Sequence, residues 1–313
     1  MGYEELLLQT AQDDERIVVM TAENRALVRN MPKNLGARFI DTGITEQTMV
    51  GMAAGLALRG RIPVVHALAP FLTMRAFEFI RTDAGIANLP IKLSGFIPGF
   101  LSDGNGPTHQ AIEDISIMRG IPGMEVYCPA DEDDLVKMLP HIWQTPNPAY
   151  VRINHKKGNY DHAPFEPGKA EVISEGRHIT FLVHGFLLGN VLEAKEILKD
   201  EGDAAGLSVG VINMRTLKPV DEEIIINSVK NSEALVIVED HFATGGLYSI
   251  VAETLLKHRI TAPVLQIALN KWFKPGLLNE VLEFEGFTPA KIAHKVNAFY
   301  RSGTIAETFG LNK

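Results

Sequence analysis

The 313 residues are 46% hydrophobic and 22% charged, with a net charge of −8, a balance that suits globular domains with sizeable cores and argues against a nucleic-acid surface. Cys128 is the single cysteine, which excludes an internal disulfide and a CxxC metal site. No apolar run nears membrane-spanning length, and Met1-Gly-Tyr-Glu-Glu-Leu lacks the basic and apolar regions of a signal peptide, so a cytoplasmic protein is expected.

Residues 3–11 read as a helix, and Arg16-Ile-Val-Val-Met20 as a buried strand that runs into Thr21-Ala-Glu23-Asn24. A short strand ends at Asp41, and Thr45 follows as an expected helix N-cap with Glu46 in the first turn. Gly51 and Gly55 lie four apart on one helix face. Each costs about 1 kcal/mol relative to alanine, so they predict the close approach of another helix or a ligand. Val64–Leu68 is the next strand and Phe71–Asp83 the next helix, with Phe71 and Phe77 at core spacing. Pro90–Gly95 is a strand, Phe96–Gln110 a long loop rich in Gly and Pro, and Ala111–Arg119 a helix. Strands over Gly123–Pro129 and Ala149–His155 flank a helix over Asp131–Gln144.

Residues 156–170 mix Gly, Pro and charges and read as a connection. Beyond it, strands are predicted at Ile179–Val183, Val209–Asn213, Ala234–Glu239 and Val264–Ala268, with helices over Gly189–Glu201, Gly245–Arg259 and Thr288–Ser302. Alternating strands and helices predict two consecutive three-layer α/β domains with parallel sheets, over 1–160 and 173–313, joined by a linker at 161–172. On local pattern, Glu46 is a first-turn acid that complements the helix dipole. His109 is a loop histidine, and Gly245-Gly246 serve close packing rather than an anion. His184, Glu239 and His241 fit no standard metal spacing.

Three segments together carry a family resemblance. Ile44-Thr-Glu46-Gln-Thr-Met-Val-Gly-Met-Ala-Ala-Gly-Leu-Ala57 resembles the glutamate motif in the pyrimidine-binding domain of transketolases, and more closely the C-terminal subunit of split, two-chain transketolases. Leu68-Ala-Pro-Phe71-Leu-Thr-Met-Arg75-Ala-Phe77-Glu-Phe-Ile-Arg81 aligns with the same group without a gap. Gly106-Pro-Thr-His109-Gln110, with Glu113-Asp114 behind it, matches the family's histidine loop. Asn213–Pro219 and Val238–Ser249 are similar to the transketolase C-terminal domain, which the resemblance makes chiefly structural.

The resemblance implies thiamine diphosphate as cofactor, with Glu46 hydrogen-bonded to N1′ of its aminopyrimidine. A carboxyl group there favours the imino tautomer whose nitrogen takes the thiazolium proton. Phe71 would lie against the ring, within a segment that also brings Leu68, Arg75 and Phe77. His109 would bond the substrate carbonyl as it becomes a hydroxyl. Departures bear on the sugar. Phe96-Ile97-Pro98-Gly99 stands where a family histidine helps bind the terminal phosphate. Asn105 replaces an acid that touches a sugar hydroxyl, and His155 replaces the second of two arginines, of which Arg152 remains. A modified or differently charged sugar is expected, with phosphate still open.

No Gly-Asp-Gly diphosphate motif occurs; Ser102-Asp103-Gly104-Asn105 belongs to the histidine loop. The resemblance therefore implies a separate N-terminal subunit that binds the diphosphate and Mg²⁺ or another divalent metal, in an α2β2 assembly. The reaction implied is two-carbon ketol transfer between small sugars. The β subunit of a 2-oxoacid dehydrogenase, a synthase of the deoxyxylulose phosphate type, and a non-catalytic protein of the same fold are the alternatives.

Overall fold

In Ile17-Val-Val-Met-Thr21 every residue is buried, so both faces of this strand must be covered, as in a parallel sheet between helices. The computed structural model, which describes residues 1–102, 104–158, 160–200 and 206–302, shows that arrangement twice. Asp103 of the histidine loop, Glu201 at the expected helix end and residues 303–313 lie outside the described residues.

The strands in chain order are β1 (Ile17–Thr21), β2 (Phe39–Asp41), β3 (Ile62–Leu68), β4 (Lys92–Phe96), β5 (Glu125–Tyr127), β6 (Ala149–Ile153), β7 (Glu171–Ser174), β8 (Ile179–Val183), β9 (Val209–Asn213), β10 (Thr216–Lys218), β11 (Ala234–Phe242) and β12 (Val264–Leu269). The first sheet runs β10-β5-β6-β4-β3-β1-β2, parallel except at β10, and the second β12-β11-β8-β9-β7, parallel except at β7. Alternation divides each strand between two cores. Val18, Met20, Val65 and Leu93 join Met49, Ala53 and Ile115 on one face of the first sheet. Ile17, Val19 and Val64 meet Leu7, Leu135 and Trp143 on the other. In the second sheet Phe181, Val183 and Val211 pack on Leu187, Val191 and Ile292. The two consecutive α/β domains expected from the sequence are present.

β7 begins at Glu171, inside the predicted linker. β10 follows β9 of the second domain yet pairs antiparallel with β5 of the first, Thr216 opposite Tyr127 and Lys218 opposite Val126. The sheet of one domain is thus completed by the chain of the other. β7, β10 and the helices Met31–Leu35, Glu222–Asn231 and Leu278–Glu285 were not expected from the sequence. The segment expected as a regular helix over Phe71–Asp83 is instead wound as π-helical turns, Phe71–Arg75 and Ile80–Ile86, around a short α turn, Phe77–Phe79. Wider turns of this kind rotate side chains off a simple 3.6-residue stripe. The helix expected from Ala111 starts at Asp114, and the Ala111 carbonyl accepts from the Gly99 amide at 2.8 Å.

Candidate active site

β2 delivers the chain to the helix Glu46–Leu58. Asp41 fixes the turn between them, accepting from the amides of Gly43 at 3.0 Å and Glu23 at 3.1 Å and from Arg25 Nε at 2.7 Å. Burial alone would raise its carboxyl pKa; these donors hold it below the usual range. Thr45 occupies the N-cap position, but its hydroxyl donates back to the Thr42 carbonyl at 3.0 Å and caps no helix amide. That corrects the capping role expected for it.

Glu46 is 2% exposed. Arg75 Nη1 donates to both its carboxylate oxygens, at 3.2 and 3.1 Å. The same guanidinium lies 4.2 Å from the centroid of the Phe71 ring, within cation–π range. Phe71 in turn meets His109 edge to face, with centroids 5.0 Å apart and planes at 74°. Three segments far apart in sequence thus bring Glu46, Arg75, Phe71 and His109 into one line of contacts. The Thr108 hydroxyl lies 2.9 Å from His109 Nδ1. The adjacent Thr108 was not singled out from sequence; its hydroxyl engages Nδ1 of the ring rather than Nε2.

The remaining expected residues divide. Leu68 ends β3 opposite Phe96 at the end of β4, and the His155 ring sits 5.0 Å from Phe96. These three therefore form one rim. Partial burial, opposed by Glu132 and reinforced by Lys156, holds the His155 imidazole below its ordinary pKa. Asn105 is exposed and donates to Ser102 Oγ at 3.0 Å. Phe77 lines a separate cavity of about 570 Å³ with Arg81, Ile86 and Ile117.

Arg152 lies inside the fold. It is 2% exposed, and its nitrogens reach Asp114 Oδ2 at 2.9 Å, Asp240 Oδ1 at 2.7 Å and the Ala111 carbonyl at 3.2 Å. A guanidinium engaged on Nε, Nη1 and Nη2 has no face to offer a substrate.

Gly245-Gly246 pack as expected. Gly245 lies against Ser116, and a Cβ at Gly246 would overlap the Glu239 carboxylate. That carboxylate accepts from the amides of Leu247 at 2.6 Å and Tyr248 at 3.1 Å. The anion at this helix N-terminus is the chain's own side chain.

Residues 1–160 match the transketolase pyrimidine binding domain and residues 168–292 the transketolase C-terminal domain. The chain belongs to the transketolase family. It is 35% identical over 303 residues to the 6-deoxy-6-sulfo-D-fructose transketolase subunit SqwH of Clostridium sp. (strain MSTE9), covering 94% of this chain and 92% of that one. The putative transketolase C-terminal section of Methanocaldococcus jannaschii is 33% identical, with 94% of each chain covered. A solved split-gene transketolase, an inactive beta4 tetramer, superposes with a TM-score of 0.84 at 32% identity, over 95% of this chain and 96% of its own. These matches set it among the C-terminal subunits of two-chain transketolases. A transketolase from Campylobacter jejuni, 18% identical with a TM-score of 0.77, shares the fold, and the chain covers 46% of it. Membership of this family implies thiamine diphosphate as the cofactor.

Proposed function

We propose that this chain supplies the pyrimidine half of a thiamine diphosphate site and, with a separate N-terminal subunit, transfers a two-carbon ketol unit from a ketose to an aldose. The observation that carries the reading is the contact line Glu46–Arg75–Phe71–His109. It supports the fit to the cofactor. Glu46 and Phe71 already hold a planar, cationic, N–H-bearing group between a carboxylate and an aromatic face. The Arg75 guanidinium thus stands in for the aminopyrimidine, which needs the same contacts.

When bound, the cofactor supplies the nucleophilic carbon that attacks the ketose carbonyl. The roles of this chain's residues follow from their positions. Glu46, buried at a helix start, exchanges a proton with the ring nitrogen it bonds. Phe71 gives the ring a flat apolar surface, and Leu68 closes its edge. His109, on the far side of Phe71, bonds the substrate oxygen that gains negative charge. Asn105 and His155 are assigned to the sugar. His155 offers hydrogen bonds without a fixed charge, with Lys156 and Lys157 adjacent in sequence. The substrate is accordingly a ketose phosphate or a related modified sugar. One relative's name gives 6-deoxy-6-sulfo-D-fructose and another's apulose-4-phosphate, which supports an acidic or modified tail.

The diphosphate and Mg²⁺ fall to the partner, since the 313 residues contain no Gly-Asp-Gly. The helix Glu46–Leu58 supports a subunit contact and the α2β2 assembly. Ile44, Met52 and Leu58 are exposed at its start and along it, and a Cβ at Gly55 would meet nothing within 4 Å. The acidic charge and a buried thiol at Cys128 fit a cytoplasmic enzyme. The test uses the chain reconstituted with its N-terminal subunit, thiamine diphosphate and Mg²⁺. Transfer is followed from phosphorylated, sulfonated and neutral ketoses. Glu46→Gln is expected to lower the rate about 10²–10⁴-fold with circular dichroism unchanged. Wild-type activity in that variant, or pyruvate decarboxylation in place of ketol transfer, overturns the reading.

A further inference from the structure

The loop that carries His109 is fastened by the second domain as well as by its own. At its base, the Gly99 amide donates to the Ala111 carbonyl at 2.8 Å. Arg152 Nη2 donates to that same carbonyl at 3.2 Å, and Arg152 is paired with Asp240 of β11 at 2.7 Å. The side chains of Arg152, Asp114 and Asp240 are 3%, 0% and 2% exposed, so the pairs are shielded from water. Gly99 has a φ of +59°, and a Cβ there would fall on the Asp240 carboxylate. The loop backbone therefore lies directly on the Arg152–Asp240 pair.

The wall of the loop is held apart from the base. Phe100 is fully buried, with its ring 5.4 Å from Phe273, 5.3 Å from Phe287 and 6.4 Å from Phe186. All three belong to the second domain. At the tip, the Gly104 amide donates to the Gly276 carbonyl at 3.2 Å, and a Cβ at Gly106 would come within 2.8 Å of Pro275. Past His109, the Phe242 amide donates to the Ile112 carbonyl at 2.9 Å, and the Ser116 amide to His241 Nε2 at 3.3 Å.

We infer that the second domain is a clamp that sets the position of His109, with Arg152 and Asp240 as positioning residues acting through the Ala111 carbonyl and Asp114. The inference rests on the reading of His109 as the group that faces the substrate. It gives the second domain a part in the reaction that its distance from the cofactor residues hides. Arg152 then acts on the reaction without touching substrate.

Two readouts test it. In the full-length chain labelled with isotopic histidine, the His109 ring protons carry the ring current of Phe71, and Phe71→Leu marks where they fall without it. Asp240→Asn is expected to move them toward that position, and so is Phe273→Leu, a milder change on the opposite side of the loop that keeps the clamp testable should the first variant not fold. His109 signals unchanged in a folded variant of either kind overturn the clamp. In the reconstituted enzyme, each variant is expected to lower kcat by about 10²-fold, the cost of misplacing a reacting group by about 1 Å, with KM for the cofactor held within about twofold. Combined with His109→Gln, neither variant should lower kcat further, because the two changes remove one function. Losses that add overturn the inference. A wild-type complex with no transfer would instead sink the proposed reaction, and the resonance test would still judge the clamp.

Discussion

Arg75 covers the Glu46 carboxylate. Its side chain is 40% exposed and that of Glu46 is 3% exposed, so the arginine can leave toward solvent while the carboxylate cannot. An ion pair with one exposed partner contributes about 1 kcal/mol or less, and swinging Arg75 away costs little. In the proposed complex an aminopyrimidine would take the same carboxylate and the ring of Phe71, so guanidinium and cofactor would compete. Arg75→Ala leaves a buried carboxylate unpaired only in the cofactor-free protein. Cofactor binding should therefore tighten, by about fivefold for a pair worth about 1 kcal/mol. Calorimetric titration of the assembled enzyme with thiamine diphosphate measures this. Equal or weaker affinity would mean that Arg75 stays with the bound ring as a ligand.

Two glycine-bearing helices show what sequence can and cannot disclose about an element. Gly246 opens the helix Leu247–Lys257 where the Glu239 carboxylate reaches in. Burial, partly offset by the Leu247 and Tyr248 amides, pushes the Glu239 pKa up to about 7. Gly246→Ala should destabilise the chain by about 1–3 kcal/mol, the usual cost of overpacking. Gly55 sits in a helix interior with nothing among the described residues within 4 Å of a Cβ. Gly55→Ala should stabilise the isolated chain by about 1 kcal/mol and weaken its assembly with the N-terminal subunit. Urea unfolding and sedimentation read the two effects, and an unchanged assembly constant would remove this helix face from the interface. In sequence both sites showed only as glycines in helices. The strands were legible because positions such as Ile17–Met20 are apolar throughout, whereas Glu46, Phe71 and His109 stood out through the family resemblance and not through local pattern. The pairing of Arg152 was not legible because its partners, Asp114 and Asp240, lie 38 and 88 residues away. The π turns and the transfer of β10 to the first sheet are equally products of tertiary contact.

The two domains are also tied by a buried ion cluster around the chain that connects them. His162 bonds Glu171 of β7 at 2.7 Å through Nδ1 and Asp131 at 2.9 Å through Nε2. Arg215, which follows β9, reaches Asp134 at 2.8 Å and Glu171 at 3.0 Å. Asp134, His162 and Glu171 have the spacing of a metal site, yet the guanidinium already supplies positive charge to both of those acids. Burial would lower the His162 pKa, but its bonds to Asp131 and Glu171 outweigh burial and raise it from 6.5 to about 9. Because the folded value lies above the unfolded one, protonated His162 contributes its full stabilisation below pH 6.5 and loses it as pH rises through about 9. The shift bounds that contribution at about 3 kcal/mol. His162→Gln keeps a hydrogen-bonding side chain but no charge. Glu239 and Lys92, each with a pKa moved to about 7, are present in both proteins, so the difference in stability isolates the imidazolium. Unfolding by urea at pH 6, 8 and 9.5 should show the variant least stable relative to wild type at pH 6, with the gap closing toward pH 9.5. A gap independent of pH would mean that His162 is neutral and that Arg215 alone balances the acids between the domains.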